Sequence, residues 1–262
     1  MDTKFAKRVQ RAYAEVANTC DIKTARHKPW ASTNDAILLK DALKNIHKEE
    51  DDRILDLGCC GWPWITNFLY QEGYDVVGAD IHKPHWRKHK IVDNLGLPLV
   101  SYDGKNLPFS ENSFDLVLMF GVLEHIGVWK DDDEKYQKRA PETTEHRKTV
   151  LREVRRILSN NGVLYITKFP NTYGRDKLIG KMLGDIGHLD SERARPKYLR
   201  SLIEEKFTVR SIFSDGLLPH RIPLDSPSFY IPYLYARSDK HLSNLPLLKQ
   251  FAQNYCIIAT IE

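Results

Sequence analysis

The 262-residue chain contains no run of about 18 uncharged apolar residues, so no membrane span is expected. Its start, Met1-Asp2-Thr3-Lys4, has no apolar segment behind it, and the expectation is therefore a cytoplasmic protein without a secretory leader. Cysteine is scarce: Cys20, Cys59, Cys60 and Cys256 have the spacing of neither a disulfide framework nor a zinc site. The adjacent Cys59 and Cys60 read as small buried side chains in a reducing compartment, with a redox-sensitive thiol as the competing reading. Charge of one sign is also lacking. A net +4 is mild, and no sustained Lys/Arg stripe interleaves with aromatics, which disfavours a nucleic-acid partner. The one dense basic patch, Lys83 to Lys90, reads as a solvated helix face or, alternatively, as a contact for an anionic substrate. No Asp/Asn/His grouping converges by spacing, so no metal site is expected.

What is present is a regular alternation. An N-terminal stretch, Thr3 to Ala17, places Phe5, Val9, Tyr13 and Val16 at helical spacing, and a second helix is expected over Asn34 to Lys48. Strands are then expected at 53–57, 75–79, 98–102, 114–119, 162–168, 207–213 and 255–261. Helices are expected at about 64–72, 84–94, 145–159 and 195–206, with Asn161-Gly162 turning the third of these into the fifth strand. Such alternation predicts an α/β fold, a mostly parallel sheet with helices on both faces.

The stretch from Arg53 to Asp80, RILDLGCCGWPWITNFLYQEGYDVVGAD, is the most informative. It reads as one βαβ unit in which Gly58 and Gly61 permit a sharp turn after the first strand. Asp80 closes the second strand, where an acidic side chain can accept hydrogen bonds from ribose hydroxyls. A nicotinamide dinucleotide site would need G-x-G-x-x-G, and the turn Gly58-Cys59-Cys60-Gly61-Trp62-Pro63 does not fill the third glycine position.

This stretch resembles motif I of the class I S-adenosylmethionine (SAM) methyltransferases, D/E-x-G-x-G-x-G. Asp56 and Gly58 match, while Cys60 and Trp62 replace the second and third glycines. Val100 to Gly104 resembles the family's segment in which an aspartate, here Asp103, contacts the adenine amino group. Ser113-Phe114-Asp115 leads a strand like the family's fourth, which runs through Phe120 into Leu123-Glu124-His125, similar to the family's "LEH" element. Arg156-Ile157-Leu158 through Pro170-Asn171 is a further similar pattern. The resemblance implies a Rossmann-like class I methyltransferase fold with a seven-stranded sheet, the last strand antiparallel and inserted beside the sixth. It also implies SAM as cofactor, with Asp56, Gly58, Cys59, Cys60, Gly61, Asp80, Ile81, Asp103, Gly104 and Phe120 as its binding residues.

On this reading residues 1–50 form a helical cap and residues 51–262 the SAM-binding domain. Three excursions, at about 127–144, 171–194 and 214–253, are expected to hold the acceptor specificity, because ligands sit at the carboxyl ends of strands in open α/β sheets. The first is highly charged and is expected as a mobile surface loop; the third is rich in Tyr and Pro. A hydroxyl acceptor needs its proton removed, which a histidine can do near neutral pH. His125 is the first candidate base and His188 the second, with His220 third. The resemblance points to O-methylation of a sugar, glycan or other small polar acceptor. A quinone or lipid precursor is the alternative acceptor, and a non-catalytic SAM-fold interaction subunit the alternative from another class.

Overall fold

Val-, Ile- and Leu-rich runs that are buried along almost their whole length are what a parallel sheet covered on both faces requires. The strands β1 (Arg53–Leu57), β2 (Asp75–Asp80) and β4 (Phe114–Phe120) have this character. The structure is a computed structural model, and it describes residues 3–19, 29–44, 46, 52–60, 63–81, 86, 90–102, 105–130, 137–139, 142–174, 193–217 and 237–261. Between β1 and β4 lie α3 (Trp64–Gln71), α4 (Ile91–Leu95) and β3 (Leu99–Ser101), preceded by α1 (Thr3–Thr19) and α2 (Pro29–Leu43). After β4 come a hairpin of β5 (Val128–Lys130) and β6 (Gln137–Arg139), α5 (Thr143–Ile157), β7 (Leu158–Pro170), α6 (Pro196–Ile203), β8 (Thr208–Asp215) and β9 (Asn254–Thr260).

The main sheet has seven strands in the order β3-β2-β1-β4-β7-β9-β8. β9 is antiparallel to both neighbours, pairing Ile166 with Ile257 on one side and Ile212 with Ile257 on the other. The remaining pairings are parallel. Alternate side chains divide the core into two layers, as the pleat dictates. Ile54, Val76, Leu116 and Leu118 face α1, α2 and α3, whereas Leu55, Val77, Val117 and Met119 face α5 and α6. On α1, Phe5, Val9, Ala12 and Val16 are buried in one stripe, and the Phe5 ring meets Phe68 of α3 edge-on at 5.2 Å between centroids.

Several element boundaries differ from expectation. α2 runs over Pro29–Leu43 and not 34–48, because proline's fixed φ suits the first helical position. The expected turn at Asn161-Gly162 is a bulge within a longer strand: pairing passes from Phe114 opposite Leu158 directly to Leu116 opposite Val163. The first excursion carries the β5–β6 hairpin where a mobile loop is expected. Most of the expected helix at 84–94 lies outside the described residues, which retain Trp86 and α4.

The N-terminal helices are fastened to the sheet by charge as well as by apolar packing. Lys168, on β7, has φ +60 and its Nζ lies 2.6 Å from Asp35 of α2. Burial alone would lower the lysine's pKa; the Asp35 carboxylate outweighs it, and the net shift is upward.

Candidate active site

Parallel strands deliver their carboxyl ends to one edge of a sheet, and here β1, β2 and β4 end around a single cavity of about 460 Å³. The β1 end is held by main chain: Gly58 N donates to Ala79 O at 2.7 Å. Gly58 has φ +78, and a Cβ there would stand 2.4 Å from Val122 Cγ2, so a side chain is excluded both by conformation and by space. Cys60 also adopts a positive φ, 56°, which the surrounding hydrogen bonds support. Its N–H donates to Asp80 Oδ2 at 2.8 Å, and its carbonyl accepts from the indole N–H of buried Trp86 at 2.8 Å.

Asp56 plays a part beneath this turn. It is buried, and one carboxylate oxygen accepts from both the N–H (3.1 Å) and the hydroxyl (2.7 Å) of Thr66 in the first turn of α3, which has no other side-chain cap. Burial pushes its pKa up to about 7, against the two Thr66 hydrogen bonds that lower it, and Asp80 adds to the rise. A folded-state pKa above the unfolded 3.8 means that the native state binds the proton more tightly. The associated stability is present below about pH 4 and is lost as pH rises through 7. Chemical denaturation of wild type and Asp56→Asn should therefore show a stability difference that moves against wild type across this window, by on the order of 4 kcal/mol. A pH-independent difference would contradict the assignment.

Beyond β4 the chain turns through 121–127. Arg147 of α5, fully buried, donates Nε to Leu123 O (3.0 Å) and Nη2 to Glu124 O (2.7 Å), and its guanidinium lies over the Phe169 ring at 5.1 Å. The turn so fixed presents His125 to the cavity, with its Nε2 3.7 Å from Oε1 of buried Glu124. A second clamp holds the segment after β3: Arg156 donates to Leu107 O and Phe109 O, while Glu153 accepts from Leu107 N.

Of the residues expected from sequence, Gly58, Cys60, Asp80, Ile81 and His125 line the cavity together. Ile81 is 66% exposed, a ready apolar platform at the rim. Three others are placed elsewhere. Asp56 acts through Thr66, the buried Cys59 packs with Trp86, Leu97 and Leu99, and Phe120 stacks on Tyr165 at 6.2 Å on the α1–α3 side of the sheet. Phe120 is partly buried on the face that strand alternation gives to Leu116 and Leu118. Gly61, Asp103, Gly104, His188 and His220 lie outside the described residues. The cavity also includes residues that sequence reasoning missed, among them Tyr102, Lys105, Val122 and His146. Tyr102 adjoins the expected Asp103, and His146 could have been sought one helical turn before Val150 on the cavity face of α5.

A glycine-bearing turn after β1, a carboxylate ending β2 and this strand order define the class I SAM-dependent methyltransferase fold. Residues 55–166 match the family described as a methyltransferase domain. Among curated proteins, an uncharacterised protein of Methanocaldococcus jannaschii is 28% identical over 124 residues, 47% of this chain and 44% of the relative. A protein of Mycobacterium tuberculosis described as a "probable fatty acid methyltransferase" is 32% identical over 91 residues, 32% of this chain and 20% of the relative. The match thus spans less than half the length of either curated relative. A SAM-dependent methyltransferase of Archaeoglobus fulgidus shares the fold, with a TM-score of 0.53, 16% identity and coverage of 87% of this chain and 94% of that one. Residues 55–166 thus match a methyltransferase domain, and the fold is the one shared by SAM-dependent methyltransferases. The residues lining the cavity would suit SAM: Gly58 lets the β1 turn pack closely against Val122, Asp80 stands at the end of β2, and Ile81 offers an apolar contact.

Proposed function

We propose that the protein O-methylates a sugar, a glycan or another small polar acceptor, with His125 as the general base. The observation that carries this reading is that the His125 imidazole lines the same cavity as Gly58, Cys60 and Asp80. SAM, when bound, supplies a methyl group on a sulfonium that is already electrophilic. The protein's task is then to orient the acceptor and remove its proton. His125 accepts that proton, and the Glu124 carboxylate 3.7 Å away stabilises the resulting imidazolium. His188 is the second candidate base. Residues 1–50 are proposed as a helical cap, with the excursions at 127–144, 171–194 and 214–253 contributing acceptor specificity. Asp103 and Gly104, with Gly61, are proposed to complete the cofactor site.

An apolar acceptor, a quinone or lipid precursor, is the second reading. Val122, Ile126 and Val150 on the cavity wall favour it, as does the description of the mycobacterial relative. A non-catalytic SAM-fold interaction subunit is the reading from another class.

Calorimetry with SAM separates a cofactor-binding domain from a lapsed one; no heat at high micromolar cofactor would favour an interaction role. A methyl-transfer screen over glycans, quinone precursors, fatty acids and RNA then identifies the acceptor. In the productive assay His125→Ala is expected to lower kcat by about 10²–10⁴ while SAM affinity stays within about twofold. Unchanged turnover would reject His125 as the base.

A further inference from the structure

Among the described residues, Lys168 is the only non-glycine position within a strand that has a positive φ, +60. Such backbone is strained for a residue with a β-carbon and persists only where its surroundings enforce it. Here a β-bulge does so. Ile166 pairs with Ile257 and Phe169 with Tyr255, so Thr167 and Lys168 together face Cys256 alone. Bulges re-aim side chains, often beside active sites. This one sits at the carboxyl end of β7, where Gly121, just past β4, donates its N–H to Thr167 O at 3.2 Å. Gly121 lines the cavity, and a β-carbon built on it would stand 3.9 Å from Lys168 Cδ and 3.4 Å from Glu124 Oε1. The lysine stem and the carboxylate beside His125 thus flank one glycine, and residue 121 has no side chain to part the stem from the cavity.

The α1–α2 side of the cavity closes on the same lysine. Burial raises the phenol pKa of Tyr13 on α1; Asp35 adds to the rise, Lys168 opposes it, and the cavity-lining Cys60 adds again. The lysine ammonium is anchored without being used up. It has three N–H donors, of which Asp35 Oδ1, at 2.6 Å, takes one, and 34% of the side chain is exposed. A lysine that served only to tether α2 would need no strained backbone, since its flexible four-carbon stem reaches a neighbouring helix from ordinary strand geometry.

We propose that Lys168 is an acceptor-binding residue: held by Asp35, its ammonium donates a hydrogen bond to an oxygen of the methyl acceptor other than the one methylated. The inference rests on the O-methylation reading above and narrows it to acceptors that carry a second oxygen near the first, such as diols and hydroxy acids. A hydrogen bond from a charged donor discriminates strongly for such an oxygen, because an acceptor without one leaves the ammonium unpaired in the closed site.

The test uses the full chain, S-adenosylhomocysteine as the probe of the cofactor site and, as acceptor, the compound of the screening panel that wild type methylates fastest. Lys168→Met should raise the acceptor KM about tenfold or more with kcat within about threefold, and Lys168→Arg, which keeps the donors, should recover most of the loss. Asp35→Asn breaks the same ion pair from its other end but keeps the ammonium, and should change KM by less than about threefold. S-adenosylhomocysteine affinity, by calorimetry, should stay within about twofold in every variant, which also verifies folding. Asp35→Ala/Lys168→Met leaves neither charge buried alone; it should raise KM as Lys168→Met does, and it replaces that variant if the lone carboxylate prevents folding. Equal KM changes in Lys168→Met and Asp35→Asn, or none in either, reduce the pair to a tether and overturn the proposal. So does a fastest acceptor with a single oxygen, or a loss of S-adenosylhomocysteine affinity in Lys168→Met alone, which would give the lysine to the cofactor. If wild type binds S-adenosylhomocysteine yet methylates nothing in the panel, the O-methylation reading falls and this proposal with it. Failure of S-adenosylhomocysteine to bind wild type overturns the methyltransferase reading itself.

Discussion

Replacing Gly58 by alanine is expected to reduce SAM affinity by at least about tenfold and to lower the thermal midpoint of the free protein. The two effects share a cause. A β-carbon at φ +78 carries left-handed strain of about 1–2 kcal/mol. It would also sit 2.4 and 2.8 Å from the two γ-carbons of Val122, an overlap that costs about 1–3 kcal/mol as the neighbours shift. Relief requires the β1 turn or Val122 to move, and both line the cofactor cavity. Val122→Ala should restore part of the loss in the double variant, because it removes the overlap while the strain remains. Calorimetric titration of the single and double variants measures this directly, and unchanged affinity in Gly58→Ala would refute the close-approach role.

Arg147→Met should have the largest effect on stability. Its guanidinium satisfies two buried carbonyls and reaches Tyr198, and losing it leaves Leu123 O and Glu124 O without those donors, at about 1–3 kcal/mol each. For a chain of this length the thermal midpoint should fall by roughly 10 °C. Arg147→Lys should recover less than half of that. A single ammonium cannot reproduce the planar fork that spans both carbonyls. Thermal denaturation followed by circular dichroism gives both values, and full rescue by lysine would show that charge alone matters. Since the same arginine orients the turn bearing His125, turnover should fall in both variants even well below their melting temperatures.

The parts of this site that could be read from sequence are those whose local chemistry is specialised. Gly58 and Asp80 stood out because a tight turn needs glycine and a strand end rarely carries a carboxylate without purpose. The strands were legible through their unbroken apolar runs, since burial on both faces leaves no polar alternation to misread. Long-range tethers were not. Trp86 to Cys60 spans 26 residues and Arg147 to Leu123 spans 24, and a hydrogen bond between such distant positions leaves no periodic trace in the chain. The α2 start differs because the polar residues before Asn34 read as a connector, whereas the helix begins with Pro29.

The contact between Asp35 and Lys168 bears on where the chain can be shortened. The matched family segment, 55–166, stops two residues before that lysine and begins after the aspartate. A fragment cut to those limits would lose both halves of the rivet, the apolar stripe of α1, and the antiparallel strand that seals the sheet edge beyond β7. What sequence comparison delineates as a unit of descent is therefore smaller than the unit that the packing of the described residues joins together.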